Sequence, residues 1–197
     1  MPGTEMRELA VLSFVTLDGV MQSPSMPEED SSGGFSEGGW ATPYWDIVMP
    51  HVARIAMSQP YDMLFGRRTY DIFADHWPNA PKSIQSDRLN AARKYVVTSQ
   101  PGPLKWENSY ALTGDIAEAV KELKAQNGPL LQVHGSARLI QALQANDLID
   151  EFRVWTFPVV VGAGKRLFES NVTPRHYVLK RSEALENGVT HHILGRA

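Results

Sequence analysis

A single apolar run near the start of the chain, residues 9–15, sets the strongest limit on how this protein can fold. Six of its seven residues, Leu-Ala-Val-Leu-Ser-Phe-Val, are apolar. A strand with one wet face would alternate between apolar and polar residues, so this run predicts a strand that is buried on both faces. Such strands belong to the interior of a parallel sheet that helices cover on both sides. The run therefore predicts an α/β protein.

The rest of the chain alternates between strand-like and helix-like segments. Further strands are predicted at 62–65, 94–98, 109–112, 130–134, 151–161, 176–181 and 189–194, and helices at 43–57, 69–74, 115–126 and 137–145. Alternation predicts parallel strands joined by helical crossovers, and the turn Glu186-Asn187-Gly188 predicts a final antiparallel hairpin. We therefore expect a mostly parallel central sheet, flanked by helices, with a C-terminal antiparallel hairpin. A length of 197 residues suits one domain, 1–197, with 1–7 as a tail.

The overall charge and composition argue against several classes of partner. A formal net charge of −3 does not favour a nucleic-acid binder, which usually has a basic excess. No apolar run approaches the ~18 residues of a transmembrane helix, and the N-terminus lacks the basic and apolar regions of a signal peptide. The absence of cysteine excludes disulfides, thiolate nucleophiles and cysteine metal sites. We therefore expect a cytoplasmic protein without nucleic-acid or membrane partners.

The histidines and serines give little support for metal or nucleophilic chemistry. The six histidines lack a His-Glu-x-x-His spacing, and His191 and His192 would point to opposite faces of a strand. No Gly-x-Ser-x-Gly elbow is present. His134 is either a general acid or, the favoured interpretation, a core histidine bonded to backbone. We predict no metal site.

Residues 22–42 are rich in proline and glycine and predict a flexible loop. A loop of this length is either a functional lid or a simple mobile surface segment, and both interpretations stay open. Trp40, Tyr44 and Trp45 crowd its end and the start of the first predicted helix. They either stack on a flat heterocycle in a substrate pocket or anchor the core.

Small, hydroxylic or basic residues follow four of the predicted strands. These endings are Thr16-Leu17-Asp18-Gly19, Gly66-Arg67-Arg68-Thr69, Thr98-Ser99-Gln100 and Gly135-Ser136-Ala137-Arg138. Any one of these endings could simply be the small and polar residues that commonly form the turn after a strand. In an open α/β sheet, however, ligands gather at the carboxyl ends of the strands, where helix N-termini, hydroxyls and arginines can hold phosphate. Together the four endings favour a ligand that carries phosphate.

The common nucleotide-binding fingerprints are missing. No Gly-x-Gly-x-x-Gly follows the first strand, and no Gly-Lys-[Ser/Thr] occurs. The segment Gly162-Ala163-Gly164-Lys165 is interpreted as a turn.

In their order and spacing, the strand endings resemble the dihydrofolate reductase-like superfamily. The similar branch includes the C-terminal reductase domain of bacterial riboflavin-biosynthesis enzymes. The motifs that carry the resemblance are Thr16-Leu17-Asp18-Gly19, Gly66-Arg67-Arg68-Thr69-Tyr70, Thr98-Ser99-Gln100-Pro101, Gly135-Ser136, and the segment from Pro158 to Phe168 with Gly162, Gly164, Leu167 and Phe168. One departure is Ser136, which replaces the second glycine of the superfamily's pair.

The resemblance implies an NADPH-dependent reductase and a set of cofactor-binding residues. These are Leu17, Gly19, Val20, Gly66, Arg67, Arg68, Thr69, Thr98, Ser99, Gln100, Gly135, Ser136, Ala137, Arg138 and Leu139. Arg67 or Arg68 would meet the 2′-phosphate, and the match to 135–139 would close over the pyrophosphate. The implied substrate is a small cyclic or heteroaromatic compound, pyrimidine-like or pterin-like, rather than a folate.

The sequence indicates the proton donor and the oligomeric state less directly than it indicates the cofactor. Asp18 and Asp46 are the candidate catalytic carboxylates, although Asp18 could equally form an Asx-type turn. The alternative function is an NADPH-binding protein without turnover, acting as a sensor or interaction module. The apolar residues 154–161 suggest the edge of a homodimer, although an internal strand would have the same pattern.

Overall fold

An eight-stranded sheet forms the centre of the computed structural model, which describes residues 6–100, 102–170 and 172–197. The strands are β1 Leu9–Thr16, β2 Tyr61–Gly66, β3 Lys94–Val97, β4 Ser109–Leu112, β5 Leu130–His134, β6 Glu151–Phe157, β7 Tyr177–Ala184 and β8 Thr190–Arg196. Their order is β4-β3-β2-β5-β1-β6-β8-β7. The first six run parallel, and β8 is antiparallel to both β6 and β7. The predicted parallel sheet with an antiparallel C-terminal hairpin is confirmed.

Helices cover both faces of the sheet. They are α1 Trp45–Ala56, α2 Arg67–His76, α3 Ile84–Ala91, α4 Ile116–Ala125 and α5 Ala137–Ala145. Helices α1, α2 and α3 contribute to one hydrophobic cluster, and α4 and α5 contribute to the other. Strand β1 feeds both clusters, with Leu12 on one face and Leu9 and Val11 on the other. Its burial on both faces follows from this position, as the apolar run predicted. No helix among the described residues is long and apolar enough to cross a membrane.

The structure differs from the prediction at one helix and one strand end, and it decides one open alternative. Helix α3 was missed, because its apolar residues follow no clear helical stripe; its sequence signal is the capping box in which Ser83 and Ser86 bond each other's backbone N–H groups. The strand predicted at 151–161 ends at Phe157, since Pro158 has no N–H for a ladder hydrogen bond. That strand, β6, lies between β1 and β8, so the internal interpretation of 154–161 is the correct one and the edge strand is β7.

Residues 22–42 form a loop whose backbone polar groups are largely satisfied. The Gln22 side-chain amide donates to the carbonyls of Asp30 and Ser32, at 2.8 and 2.9 Å. The Trp40 indole N–H donates to the Gln22 carbonyl at 2.9 Å, and Phe35 and Trp40 are buried. The loop is therefore packed against the domain, and its predicted flexibility stays a prediction.

The predicted tail 1–7 is only partly within the described residues, since residues 1–5 lie outside them. Arg7 is not a tail residue: it is buried and its guanidinium bonds the Asp62 carboxylate at 2.6 Å and the Pro129 carbonyl at 2.8 Å. The domain therefore begins no later than Arg7.

Candidate functional site

A cavity of about 550 Å³ opens where the parallel strands end. Its walls include Phe14 of β1, Gly66 of β2, Val97 of β3 and His134 of β5. These strands run in the same direction, so their carboxyl ends meet at one edge of the sheet. The prediction that polar strand endings converge is correct for the endings of β2 and β5.

Two helices begin at this cavity without a side-chain cap. Gly66 precedes α2 and Ser136 precedes α5, and neither of these N-cap residues caps the first turn of its own helix with a side-chain hydrogen bond. The first N–H groups of a helix have no partner within it, and the helix dipole makes that end partly positive. Two such ends in one cavity offer N–H donors of the kind that anionic groups accept from in proteins.

Ser136 ties the two helix starts together. Its hydroxyl accepts from the Gly66 N–H at 3.0 Å, and its own N–H donates to the Thr69 hydroxyl at 3.1 Å. Ser136 has a φ of 59°, a left-handed conformation that a glycine adopts more easily. The departure from the superfamily's glycine pair therefore keeps the glycine-type backbone and adds a hydroxyl that positions the neighbouring helix.

Four cationic side chains line the cavity, and three of them are already paired. Arg67 bonds Asp71 one turn along α2, at 2.9 and 3.0 Å. Arg68 and Lys165 both pair with Asp30 of the 22–42 loop, Arg68 at 2.8 Å. Arg138 is exposed and forms no ion pair with any residue that the structure describes. Arg138 is thus the cation most available to an incoming phosphate.

The predicted cofactor residues divide into two groups. Those that line the cavity are Gly66, Arg67, Arg68, Thr69, Gly135, Ser136, Ala137, Arg138 and Leu139; those that do not are Leu17, Gly19, Val20, Thr98, Ser99 and Gln100. The Thr98 hydroxyl instead closes its own turn by accepting from the Gln100 N–H at 3.2 Å. Val20 is fully buried in a bridge to Arg166. The assignment of a cofactor role to either group stays a prediction.

Asp18 lies outside the cavity lining and is held in a turn. Its carboxylate accepts from the Thr16 hydroxyl at 2.6 Å and from the Gly162 N–H at 2.8 Å. The Thr16 bond, followed by backbone bonds from Gly162 and Val161, lowers the pKa of Asp18 below its ordinary value. A carboxyl held in its ionised form is a poor proton donor, so the geometry favours the turn interpretation.

Asp46 and the three predicted pocket aromatics also lie outside the lining. Asp46 is exposed in the first turn of α1. Trp40, Tyr44 and Trp45 pack edge-on against Phe157, with ring centroids 5.2 to 5.8 Å apart. This favours the core-anchor interpretation of the three aromatics.

Several lining residues were not predicted from the sequence. Phe14, Met21, Ile72 and Phe73 give the cavity an apolar wall, while Glu29, Asp30 and Lys165 bring charge to it. Lys165 does follow the predicted glycine turn, and that turn aims it at the 22–42 loop. The sequence holds no local signal for Glu29, Asp30 and Lys165, because these residues reach the cavity from loops.

A buried polar cluster lies between α1, β7 and β8. Ligand atoms of His51, Glu183 and His191 come within 4.8 Å of one another. The Trp155 indole N–H donates to His51 Nδ1 at 3.0 Å, so the hydrogen on that ring is at Nε2, which faces Glu183 at 2.9 Å. Arg54 and Arg181 also pair with Glu183. Both His51 nitrogens and one Glu183 oxygen are thus committed to hydrogen bonds, whereas the two ring nitrogens of His191 have no partner among the described residues.

The family model of the RibD C-terminal domain matches residues 7–191 of this chain. Two proteins of Bacillus subtilis strain 168 are similar in sequence, and both are named as uncharacterized. YyaP is 29% identical over 140 residues, which span 68% of this chain and 74% of YyaP. YwjB is 28% identical over 133 residues, which span 66% of this chain and 71% of YwjB.

Two solved structures share the fold. A protein assigned to riboflavin biosynthesis from Shewanella sp. PV-4 superposes with a TM-score of 0.70 at 18% identity, covering 96% of this chain and 99% of that one. Dihydrofolate reductase from Enterococcus faecalis, complexed with NADP(H) and RAB-propyl, gives a TM-score of 0.62 at 11% identity, covering 96% of each chain. The predicted dihydrofolate reductase-like fold is confirmed.

Proposed function

The chain belongs to the RibD C-terminal domain family, and from that premise we propose that it is an NADPH-dependent reductase. Its substrate is a small cyclic or heteroaromatic compound of pyrimidine or pterin type. A dihydrofolate reductase of the same fold is complexed with NADP(H), which supports the choice of cofactor.

The observation that carries the proposal is the meeting of two uncapped helix starts with Arg138. The first turns of α2 and α5 offer backbone N–H groups, and beside them Arg138 offers a guanidinium that forms no ion pair with the described part of the chain. A dinucleotide phosphate needs this donor set, and charge-assisted hydrogen bonds are each worth about 1.5–3 kcal/mol. The residues present therefore fit the cofactor.

The walls of the cavity suit a flat ring. Phe14, Phe73 and Met21 supply apolar surface, and Asp30 of the 22–42 loop pairs with two cations of the lining, Arg68 and Lys165. NADPH supplies a hydride when it is bound. The task of the chain is then to hold donor and acceptor in line and to keep water away from them.

Glu29 replaces Asp18 and Asp46 as the proposed proton source. It lines the cavity, and burial raises the pKa of its carboxyl, with a further rise from the charge of Asp30. The competing carboxylate in the lining, Asp30, has its pKa lowered and is paired with two cations. Glu29 is half-buried and its carboxylate accepts from the Ser25 N–H at 2.9 Å, but the net effect of its surroundings is a raised pKa. An acid with a raised pKa keeps its proton to higher pH and can donate it.

The test is a fluorescence titration with NADPH, followed by assays of NADPH oxidation against pyrimidines, pterins and flavins. Several of the five tryptophans lie in or near the packed loop and α1, so saturable quenching is expected. The variant Arg138→Gln should weaken binding, whereas Arg88→Gln on α3, exposed and outside the lining, is the matched control. If the tryptophan fluorescence shows no saturable change with millimolar NADPH, the result would contradict the proposal.

A cofactor-binding protein without turnover is the second candidate. The observation that favours it is the position of Asp18 and Asp46 outside the cavity lining. Saturable NADPH binding with no oxidation across the substrate panel would favour this candidate over the reductase.

A further inference from the structure

His134 lines the cavity at the end of β5, and the proposed reaction gives it no part. Its ring is largely buried, parallel to Tyr61 and edge-on to Phe73, with centroids 6.3 Å from each. Its Nε2 lies 2.9 Å from the side-chain oxygen of Gln132. This contact differs from the predicted bond to backbone, and it determines what the other ring nitrogen can do.

A chain of hydrogen bonds fixes the tautomer of His134. The Gln132 side-chain NH₂ donates to the Ala56 carbonyl at 2.6 Å. A carbonyl can only accept, so the Gln132 amide nitrogen faces Ala56 and its oxygen faces His134. That oxygen can also only accept, and Nε2 of His134 must therefore carry the hydrogen. In a neutral imidazole the other nitrogen, Nδ1, then has a free lone pair.

The ring stays neutral at physiological pH. Burial lowers the pKa of His134 to about 4, and the nearby charge of Arg153 adds to the effect. A neutral ring whose hydrogen is held by Gln132 does not donate a proton into the cavity. The predicted alternative role of His134 as a general acid is therefore not supported by its surroundings.

Nδ1 is left for the occupant of the cavity. It makes no hydrogen bond to any residue in the described part of the chain. Both ring nitrogens of His191 are buried from solvent and have no hydrogen-bond partner among the described residues. Nδ1 of His134 also has no such partner, but it is not buried from solvent in this way. It is thus an accessible acceptor in a wall that Phe14 and Phe73 make mostly apolar.

We propose that Nδ1 of His134 accepts a hydrogen bond from an amide-type N–H of the bound ligand and thereby selects ligands that present a donor there. A ligand with a carbonyl or ether oxygen at this point would place two lone pairs against each other. Two sources of the donor fit, the carboxamide of the nicotinamide and a ring N–H of the heterocyclic substrate. The identity of the donor rests on the proposed function, whereas the tautomer does not.

Long-range ¹H–¹⁵N correlation spectra of histidine-labelled protein test the tautomer. His134 should show the neutral pattern with Nε2 protonated, unchanged from pH 8 down to about pH 6. The variant Gln132→Met, which removes the fixed acceptor, should shift His134 towards a mixture of tautomers. A ring protonated at Nδ1 in the unaltered protein overturns the inference.

Matched ligands with and without the N–H test the selection. The first pair is NADP⁺ and its 3-acetylpyridine analogue, which lacks the carboxamide NH₂. The second pair is lumazine and 1,3-dimethyllumazine, measured with the protein saturated in NADP⁺ or, if NADP⁺ does not bind, with the protein alone. One pair should show a preference of roughly 10-fold for the N–H-bearing member, the ratio expected for one net hydrogen bond.

Two substitutions connect that preference to His134. His134→Asn keeps an acceptor near the place of Nδ1 and should retain the preference. His134→Leu should abolish it, and His134→Phe, which keeps the aromatic packing, repeats the test should the leucine variant fold poorly. Absence of preference in both pairs, or a preference that survives in the leucine and phenylalanine variants, overturns the inference. If the unaltered protein does not bind NADP⁺, the result contradicts the proposed function instead. The lumazine pair then decides the inference about His134.

Discussion

Arg138 and Arg67 differ in what surrounds their charges, and this separates their expected effects on cofactor binding. Arg138 is unpaired among the described residues and stands in the first turn of α5, whereas Arg67 is held by Asp71. We expect Arg138→Gln to weaken NADPH and NADH binding alike, by about 10–100-fold, because it meets the phosphates that both share. Arg67→Gln should weaken NADPH by a smaller factor and leave NADH unchanged. Dissociation constants from fluorescence titration decide this, and equal losses for NADPH and NADH in Arg67→Gln would refute its 2′-phosphate role.

Glu29 gives a prediction for how kcat depends on pH. Because burial raises the pKa of its carboxyl, the protonated form persists above the ordinary glutamate range. If Glu29 donates the proton, kcat is constant below this raised pKa and falls as pH rises through it. Glu29→Gln should lower kcat by about 10²-fold or more and remove that limb of the profile, with little change in NADPH affinity. A profile of unchanged shape in the variant would rule Glu29 out.

Residue roles were the part of the site least accessible from sequence. The glycines and arginines at the ends of β2 and β5 could be predicted, because they adjoin elements with strong patterns. Asp18 was a reasonable catalytic candidate by position, yet its carboxylate turns to Gly162, more than a hundred residues away in sequence. Glu29 and Lys165 reach the cavity through loop crossings that leave no periodic signal. A side chain's direction at a loop depends on such distant partners.

The 22–42 loop is the element that contributes most of the loop residues in the cavity lining. Asp30 joins it to Arg68 on α2 and to Lys165, and the Ser32 N–H and hydroxyl also donate to that carboxylate. Arg68 is largely exposed, so its pair contributes little to global stability. The effect of these ion pairs on ligand binding is larger, because Arg68 and Lys165 both line the cavity.

Asp30→Asn tests this element. The substitution removes a negative charge beside the anion-binding helix start and frees two cations, so NADPH should bind about 3–10-fold more tightly. Backbone amides of residues 22–32 should exchange faster with deuterium when no ligand is bound, since the loop loses its ion pairs. Ser36→Ala, an exposed change in the same loop, is the control. Weaker NADPH binding in Asp30→Asn would show that the loop's closure matters more than the freed cations.

Topology explains why the whole molecule was more predictable than its site. The two-sided burial of β1, the alternation of elements and the final hairpin all have periodic or turn signals that act over short stretches. Together these three signals predict a sheet with a parallel core and an antiparallel end. The missed helix α3 had a capping signal without an amphipathic pattern, and the strand that was predicted too long met a proline at residue 158. Neither error changed the predicted arrangement of a parallel sheet with a C-terminal antiparallel hairpin.

The free edge of the sheet gives the prediction at the scale of the whole molecule. Among the strands that the structure describes, β7 pairs only with β8, and its Val178 and Leu179 are 52% and 54% exposed. An edge strand with uncovered apolar residues can pair with another chain. We therefore propose that a homodimer, if formed through a sheet edge, pairs through β7 rather than through residues 154–161, because β6 is internal. We expect light scattering to show a dimer for the unaltered chain, and Leu179→Lys to shift it to monomer through charge repulsion across the edge. Tyr110→Lys on β4, the opposite edge, has similar exposure and should leave the dimer intact. A monomer in the unaltered protein, or a dimer that breaks only with the β4 change, would contradict assembly through β7.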